Sequence, residues 1–352
     1  MGCNDLKFIS ARTGLAITKL MLTILICTSL NATAFARTFK IATEAPDGLF
    51  FMKTVRAAAA LIESETEGRV KFKIYPGGVQ GDDFTVLRKM RVGQLHGGIL
   101  MASALTRFYP DLQVYNLPLQ FRNRDEVDYV RERMDQRIID GLYDNGVVSF
   151  SLTDMGFAYL LSKHPVRSIE ELRNSKMWIP DGDPIAAKQI QSFGISPIPL
   201  PIVDVLAGLQ TGLIDVVMVP PMVALALQWH NHVEYLTDIP LMYIYSMLSL
   251  DKKAFSALSR EDQGTVRNVM DRVFKEIDAD NRADNEKAYD ALISQGLTKI
   301  EPDYSELDMW RAIAETSVNV LVAEKELSLE SVEILRKHLS TVRANSTEKS
   351  GE

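Results

Sequence analysis

The spacing of hydrophobic positions changes repeatedly over residues 39–101. Short apolar or alternating runs predict strands over 39–43, 70–75 and 97–101. Between the first two strands lies an alanine-rich stretch, residues 49–65, whose pattern predicts a helix. This order of strands and helices predicts an α/β fold with a mostly parallel sheet and helices on its faces.

A second α/β region follows in the middle of the chain. Its predicted strands and helices cover residues 147–152, 157–162, 184–193, 204–211, 214–219 and 242–250. The run 214–219 shows no alternation, which is typical of a strand that is buried on both faces. The last strand leads the chain back towards the first region.

The C-terminal third is helical and contains one unusually long predicted helix. Ser259 and Asp262 form a capping box, and an apolar stripe at helical spacing follows over residues 266–277. Residues 278–287 are polar on all sides but contain no glycine or proline, and the apolar positions then resume as far as 295. A helix with a polar waist predicts a bridge between two folded bodies.

The N-terminus has the pattern of an export signal, predicted over residues 1–36. Basic residues precede an apolar stretch at 20–30, and a small-x-small sequence at 34–36 predicts cleavage after Ala36. Both cysteines lie in this segment, so the mature chain is expected to have no disulfide and no thiol chemistry. An exported chain without disulfides is expected to act in a bacterial periplasm.

Charge and motif content exclude several functional classes. The net charge of −7 and the absence of basic runs argue against nucleic-acid partners. No nucleophile elbow, phosphate loop or dinucleotide-binding motif is found, so no catalytic residue and no cofactor are predicted, and the chain is not expected to be an enzyme. His230 and His232 leave open a secreted metal-dependent hydrolase, but no third metal ligand is visible nearby.

Five motifs, in this order and spacing, are specific together. They are YPGGVQG at 75–81, GQLH at 93–96, LPLQF at 117–121, KMWIP at 176–180 and QTGLID at 210–215. In these motifs the chain resembles the periplasmic solute-binding proteins of TRAP (tripartite ATP-independent periplasmic) transporters, the DctP-like family. The resemblance implies a two-domain, type II-like periplasmic binding protein with a cleft between the domains and a long helix that spans both. It also implies delivery of a small organic solute to the small and large TRAP permease subunits, with a periplasmic tetratricopeptide-repeat protein as a further candidate partner.

Domain boundaries follow from placing the predicted elements on this architecture. The first domain is expected over 37–152 plus 246–280 and the second over 153–245 plus 281–343. Residues 344–352 are expected to be a disordered tail.

Four positions depart from the family pattern. Trp178 stands where the family has an arginine that holds the ligand carboxylate, Ala158 replaces a second common arginine, and Val219 replaces an asparagine. Ile202 stands where the family often has an aromatic residue. A carboxylate taken from water costs several kcal/mol unless a partner such as a bidentate arginine compensates, whereas an indole offers about 150–250 Å² of apolar surface.

This pattern predicts an uncharged, hydrophobic or amphipathic ligand. The predicted ligand-binding residues are Trp178, Ala158, Phe157, Val219, Pro220, Met222, Ile202, Phe50, Tyr243, Tyr245 and Asp183. One alternative is an organic acid held through Lys53, Arg107 or Lys163, or at a helix N-terminus. Another is a sensor subunit that docks on a membrane receptor, which the sequence does not distinguish from transport.

Overall fold

The computed structural model describes residues 36–302 and 304–350. The strands are β1 (Arg37–Ala42), β2 (Val70–Tyr75), β3 (Gly97–Met101), β4 (Val147–Ser149), β5 (Thr153–Ser162), β6 (Trp178–Pro180), β7 (Ile198–Leu200), β8 (Val216–Val219), β9 (Tyr235–Asp251) and β10 (Thr298–Ile300). The predicted signal peptide lies almost entirely outside these residues, and its cleavage stays a prediction.

The α-helices lie between and after these strands. They are α1 (Phe50–Glu65), α2 (Asp83–Arg91), α3 (Ala102–Leu105), α4 (Arg124–Asp144), α5 (Ile169–Arg173), α6 (Pro184–Ser192), α7 (Val205–Thr211), α8 (Pro221–Ala226), α9 (Lys252–Ser256), α10 (Arg260–Ser294), α11 (Tyr304–Ala323) and α12 (Leu329–Ser350). Short 3₁₀ helices cover Pro110–Asn116, Ile202–Asp204 and Trp229–His232.

One mixed sheet runs through the molecule, with β9 at its centre. Its strand order is β2-β1-β3-β9-β5-β8, and β4 and β10 also pair with β9. β1 and β3 are parallel, but β9 pairs antiparallel with β3, β4 and β5, so the prediction of a mostly parallel sheet is wrong for this central part. β9 also has 17 residues and begins well before the predicted 242–250.

The long helix α10 confirms the predicted domain-spanning element. Ser259 caps it by accepting a hydrogen bond from the Asp262 backbone N–H, as the capping box predicts. Its first half packs with β1, β3 and α1, and Leu292 near its end joins a different core beside β8. One side of the polar segment 278–287 faces β5, while most of its other residues are exposed: Asn281 donates to the Asp154 carbonyl at 2.8 Å and Asn285 to the Met155 carbonyl at 2.9 Å.

Gly156 is required where α10 crosses β5. Its φ is +93°, and a Cβ added there would lie 2.8 Å from the side chain of Asn285. The β5–β9 register shifts on either side, between residues 154 and 156 and between 158 and 160. A glycine therefore allows the strand to bend under the helix.

Separate hydrophobic cores fill the two ends of the sheet. One core joins α1, β1, β3 and the start of α10, and others join β5, β8 and the helices around α6 and α7. The sheet passes continuously between them through β9, and the predicted domain boundaries stay a prediction. No helix in the described ranges is long and apolar enough to cross a membrane.

The last helix extends beyond residue 344, and the predicted disorder of the tail stays a prediction. α12 continues to Ser350. The segment contains no glycine or proline before residue 351, so nothing in it opposes continuation of the helix. Arg343 also anchors this helix through hydrogen bonds to Glu126 and to the Gln120 carbonyl.

Candidate ligand-binding site

A cavity of about 180 Å³ lies where the ends of several elements converge. The start of α2, the β3–α3 junction and the first 3₁₀ helix form one side. The β6–α6 turn and the β8–α8 junction form the other side, and the middle of β9 forms part of the wall. Ligand sites in open α/β sheets commonly lie in such a crevice at strand ends.

Trp178 forms a wall of this cavity and is also part of the core. It is the first residue of β6, which pairs parallel with β7 so that Trp178 lies beside Ile198. Its indole N–H donates to the Leu200 carbonyl at 3.0 Å, and its ring meets Trp229 edge to face at 5.3 Å. Because the donor already has a partner, the side chain offers only apolar surface to a ligand.

Other predicted residues also line the cavity. Val219 ends β8, and Pro220 precedes the α8 helix, whose first residue, Pro221, needs no N–H partner. Ile202 and Tyr245 contribute from the second 3₁₀ helix and from β9. The Tyr245 hydroxyl donates to the Leu112 carbonyl at 2.7 Å, so its ring is held in place.

Asp183 lies in the cavity wall but serves first as a helix cap. Its carboxylate accepts from the backbone N–H groups of Ile185 and Ala186 at 3.1 and 3.0 Å, so Asp183 is the N-cap of α6. Burial raises the pKa of Asp183, while these hydrogen bonds and the Ser103 hydroxyl act in the opposite direction. Asp183 is therefore a satisfied group.

Three of the predicted ligand-binding residues do not line the cavity: Phe50, Met222 and Ala158. Phe50 begins α1 and is 65% exposed. Met222 lies in α8, where its backbone N–H contacts Asn285. Ala158 pairs with Met242, which lines the cavity, so the alanine lies on the same side of the sheet but its methyl group is too short to reach.

Phe157 and Tyr243 belong to a different region. The Phe157 ring packs edge to face on Tyr243 at 5.8 Å. The Tyr243 hydroxyl donates to Asp154 at 2.9 Å and accepts from Arg131 at 2.9 Å. Both side chains are therefore part of a buried polar network behind the sheet and not of the cavity.

We call this region the junction network, because it lies where α4, β5 and α10 meet. Its charged members are Arg124, Arg131, Arg282, Asp154 and Asp278. Arg131 donates to Asp278 at 2.7 Å and to the Leu152 carbonyl at 3.0 Å, and Arg124 pairs with Asp154. Burial raises the pKa of Asp154, and the Arg124 charge opposes that shift.

The cavity has a polar end that the sequence did not predict as a binding region. Burial, with the nearby charges of Asp83 and Asp82, raises the pKa of Glu44 to about 8. Burial also raises the pKa of Asp83 to about 7, although the Met101 backbone N–H donates to its carboxylate at 2.8 Å. Glu44 directly follows β1, and its position at a strand's carboxyl end is the signal that could have indicated it.

Two buried amides complete this polar end. Gln113 and Asn116 are 1% and 5% exposed, and both line the cavity. Gln113 Nε2 and Asn116 Oδ1 have no hydrogen-bond partner among the described residues, although Asn116 Nδ2 donates to the Tyr243 carbonyl at 2.7 Å. Gln113 and Asn116 are three residues apart on one 3₁₀ helix, and this spacing places their side chains on the same side of the helix.

Cations are absent from the cavity wall formed by residues 36–302 and 304–350. The wall contains Glu44, Asp82, Asp83, Asp181 and Asp183 but no lysine, arginine or histidine. The basic side chains that the alternative prediction assigned to an acidic ligand do not line the cavity. Lys163 donates to the Leu209 carbonyl, Arg107 lies over the Phe108 ring, and Lys53 is exposed on α1.

The histidine pair also lies outside the cavity. His230 Nδ1 is 3.2 Å from the Ala224 carbonyl, and His232 Nε2 is 3.3 Å from the Gln210 amide nitrogen. Across the part of the chain that the structure covers, no three His, Cys, Asp or Glu side chains are grouped so that they could hold a metal. Nothing in this geometry supports a hydrolase at these residues.

Comparison with known proteins identifies the class. The sequence matches the bacterial extracellular solute-binding protein family 7 (DctP) over residues 41–325. This match covers most of the chain, and the protein belongs to that family. Among curated relatives, the C4-dicarboxylate-binding periplasmic protein DctP of Rhodobacter capsulatus is 22% identical over 271 residues, 75% of this chain and 80% of the relative.

Other relatives match over shorter segments. The sialic acid-binding periplasmic protein SiaP of Vibrio cholerae is 25% identical over 56% of this chain and 61% of its own length. An uncharacterized Haemophilus influenzae protein is matched over 48% of its length, so the chain spans about half of some curated relatives.

Solved structures share the fold. The sugar acid binding protein DctPAm of Advenella mimigardefordensis, in complex with galactonate, superposes with a TM-score of 0.78 at 19% identity, covering 87% of this chain and 99% of that chain. A TRAP periplasmic solute-binding protein of Pseudomonas putida with bound D-glucuronate has a TM-score of 0.76 at 22% identity, covering 85% and 96%. These matches confirm the predicted two-domain periplasmic binding protein fold.

Proposed function

We propose that this protein captures a small organic solute in the cavity described above and delivers it to the membrane subunits of a TRAP transporter in the periplasm. The family membership and the fold support this role. One observation carries the assignment to this cavity: six of the residues predicted from family positions and patterns, including Trp178 and Val219, converge on its wall. The tetratricopeptide-repeat partner has no support in the comparisons.

The comparisons favour an organic acid as the ligand. Structural neighbours are named with galactonate, galacturonate, glucuronate, orotic acid and pyroglutamic acid. In this chain such an acid would meet no arginine, lysine or histidine in the wall. It would depend on uncharged donors such as the Gln113 amide, or on protonated carboxyl groups.

The geometry of this particular cavity favours the second candidate, a ligand without a net negative charge. The family resemblance predicts that Trp178 stands where the family has its carboxylate-binding arginine, and the Trp178 N–H is already bonded within the protein. Burying apolar ligand surface on such a wall contributes about 25 cal/mol per Å². A carboxylate in the same place would lose hydration without a bidentate partner.

A matched pair of sugars separates these two ligand classes. D-Glucuronate and D-glucose differ by a carboxylate, and isothermal titration with the mature protein measures affinity for each. The organic-acid hypothesis predicts tighter binding of glucuronate, and the alternative predicts that glucuronate does not bind. Mass spectrometry of the solute that co-purifies with the protein identifies the natural ligand class directly.

The Trp178→Arg substitution tests whether this cavity is the binding site. We expect glucuronate to bind about tenfold more tightly to the variant, because a charged hydrogen-bonding partner is worth about 1.5–3 kcal/mol. Val203→Arg is the control, since Val203 is 69% exposed and does not line the cavity. Equal glucuronate affinities in the two variants would place the ligand elsewhere.

A further inference from the structure

We propose that Glu44, Asp83 and Asn116 form a recognition site for a positively charged, hydrogen-bond-donating group of the ligand, such as an ammonium. The proposal rests on the proposed function, because it names the chemistry that the same cavity selects. It assigns a role to residues for which the family resemblance predicts none.

The unpartnered amide atoms are the first observation behind this proposal. Buried polar atoms in folded proteins nearly always have a hydrogen-bond partner, and leaving one without a partner is destabilising. Gln113 Nε2 and Asn116 Oδ1 both lack a partner in the described chain, and both side chains are at least 95% buried in the cavity wall. Asn116 Oδ1 is an acceptor and suits an ammonium, whereas Gln113 Nε2 is a donor and suits an acceptor elsewhere on the ligand.

The carboxyl groups without cations are the second observation. Glu44 has no hydrogen bond or ion pair with any described residue, and the groups with the strongest influence on it are Asp83 and Asp82. Asp83 has a single backbone donor, Met101, and Asp82 accepts from the Thr85 backbone N–H as the α2 cap. When these two neighbouring carboxyls ionise, no cation in the described part of the wall neutralises their charge, and a ligand cation would do so.

The ionisable groups that face this end fix the sign of its pH response. They are Glu44, Asp82 and Asp83 near α2, Asp181 and Asp183 from the β6–α6 turn, and Tyr245 from β9. A cation binds the ionised carboxylates, so raised pKa values of about 8 for Glu44 and 7 for Asp83 mean that binding strengthens as pH rises through this range. An anion held by the protonated groups would weaken instead.

The apolar residues of the cavity wall determine which chemical group the rest of the ligand can have. Trp178, Val219, Pro220 and Ile202 present apolar surface and no cation. A molecule that suits both ends has an ammonium at one end and a compact apolar body at the other. This description differs from the acids named with the structural neighbours.

Three probes with the same ring and a two-carbon chain test the proposal. They are phenethylamine, 2-phenylethanol and phenylacetate, titrated calorimetrically into the mature protein at pH 6 and pH 8.5. We expect phenethylamine to bind more tightly than the other two and to gain about tenfold or more in affinity at pH 8.5, as a pKa near 8 requires. Failure of phenethylamine to bind, or tighter binding of the alcohol or the acid, overturns the proposal.

Variants separate this site from the proposed function as a whole. Glu44→Gln and Asp83→Asn should each lower phenethylamine affinity about tenfold, and Glu44→Gln should reduce its pH dependence. Asp47→Asn is the matched control, because Asp47 is exposed, pairs with Arg56 at 2.6 Å and does not line the cavity; its affinity should stay within about twofold. Tight binding of phenylacetate that Trp178→Arg strengthens would overturn the ammonium site while supporting solute capture.

Discussion

The junction network and the polar end of the cavity are both rich in carboxyl groups, but they differ in their partners. In the junction network, Asp154 and Asp278 contact arginines that α4 and α10 supply. At the cavity, Glu44 and Asp83 contact no cation among the described residues. The chain therefore contains arginines close to the sheet and uses them to join its elements rather than to hold a ligand.

This difference separates a structural role from a recognition role for the same kind of side chain. A buried carboxylate that is paired and hydrogen-bonded fixes one arrangement of the surrounding elements. A buried carboxyl that has no cation is destabilising alone and favours whatever neutralises it. The comparison predicts loss of stability from changes in the first region and loss of ligand affinity from changes in the second.

The largest effect is expected when the junction network loses its central cation. Arg131→Met retains much of the side-chain volume but leaves Asp278 and the Leu152 carbonyl without this donor. Removing one partner of a buried ion pair costs about 3–5 kcal/mol of unfolding free energy, measured by urea denaturation. Arg133→Met is the control on the same helix, because Arg133 is exposed, and should cost less than about 1 kcal/mol. Equal losses in both variants would contradict the central role of Arg131.

A smaller loss is expected where α10 crosses β5. Gly156→Ala adds a Cβ 2.8 Å from Asn285 at a φ of +93°, and should cost about 2 kcal/mol of stability. Gly146→Ala is matched to it, because Gly146 has a φ of +90° but open space around its Cβ position. The Gly156 variant should unfold at lower urea than the Gly146 variant; the reverse order would show that the crossing tolerates the contact.

The smallest effect concerns the pH dependence of stability without ligand. The folded protein holds the Glu44 proton up to about pH 8, whereas the unfolded chain loses it near 4.5, so stability falls as pH rises between these values. Glu44→Gln should therefore flatten the decline in melting temperature between pH 5 and 8, and Asp47→Asn should not. An unchanged slope in Glu44→Gln would show that Glu44 is not buried as described.

Local patterns predicted much of the fold. The long helix is observed over Arg260–Ser294, with Ser259 as its cap, because its capping box and apolar stripe are local signals. Pairing directions depend on contacts between distant segments, so the antiparallel pairings of β9 were not predictable from these patterns. No element was predicted over 124–144, the helix that supplies Arg131.

The candidate site was predicted only in part. Trp178 and Val219 line the cavity because strand ends meet there, but the Tyr243 hydroxyl bonds within the junction network. Phe50 was predicted from its aromatic character, yet it begins an exposed helix. Glu44, Gln113 and Asn116 belong to a loop and a short helix, whose positions depend on tertiary packing.

The 17-residue strand β9 has a mechanical consequence. It is the one covalent segment of the described sheet that pairs with β3 and β4 at one end and with β5 and β10 at the other. Any rotation of one end of the sheet relative to the other must twist β9. The two register shifts in its pairing with β5 are the places where β9 twists most easily. Amide hydrogen exchange along β9 should therefore be fastest beside residues 154–160.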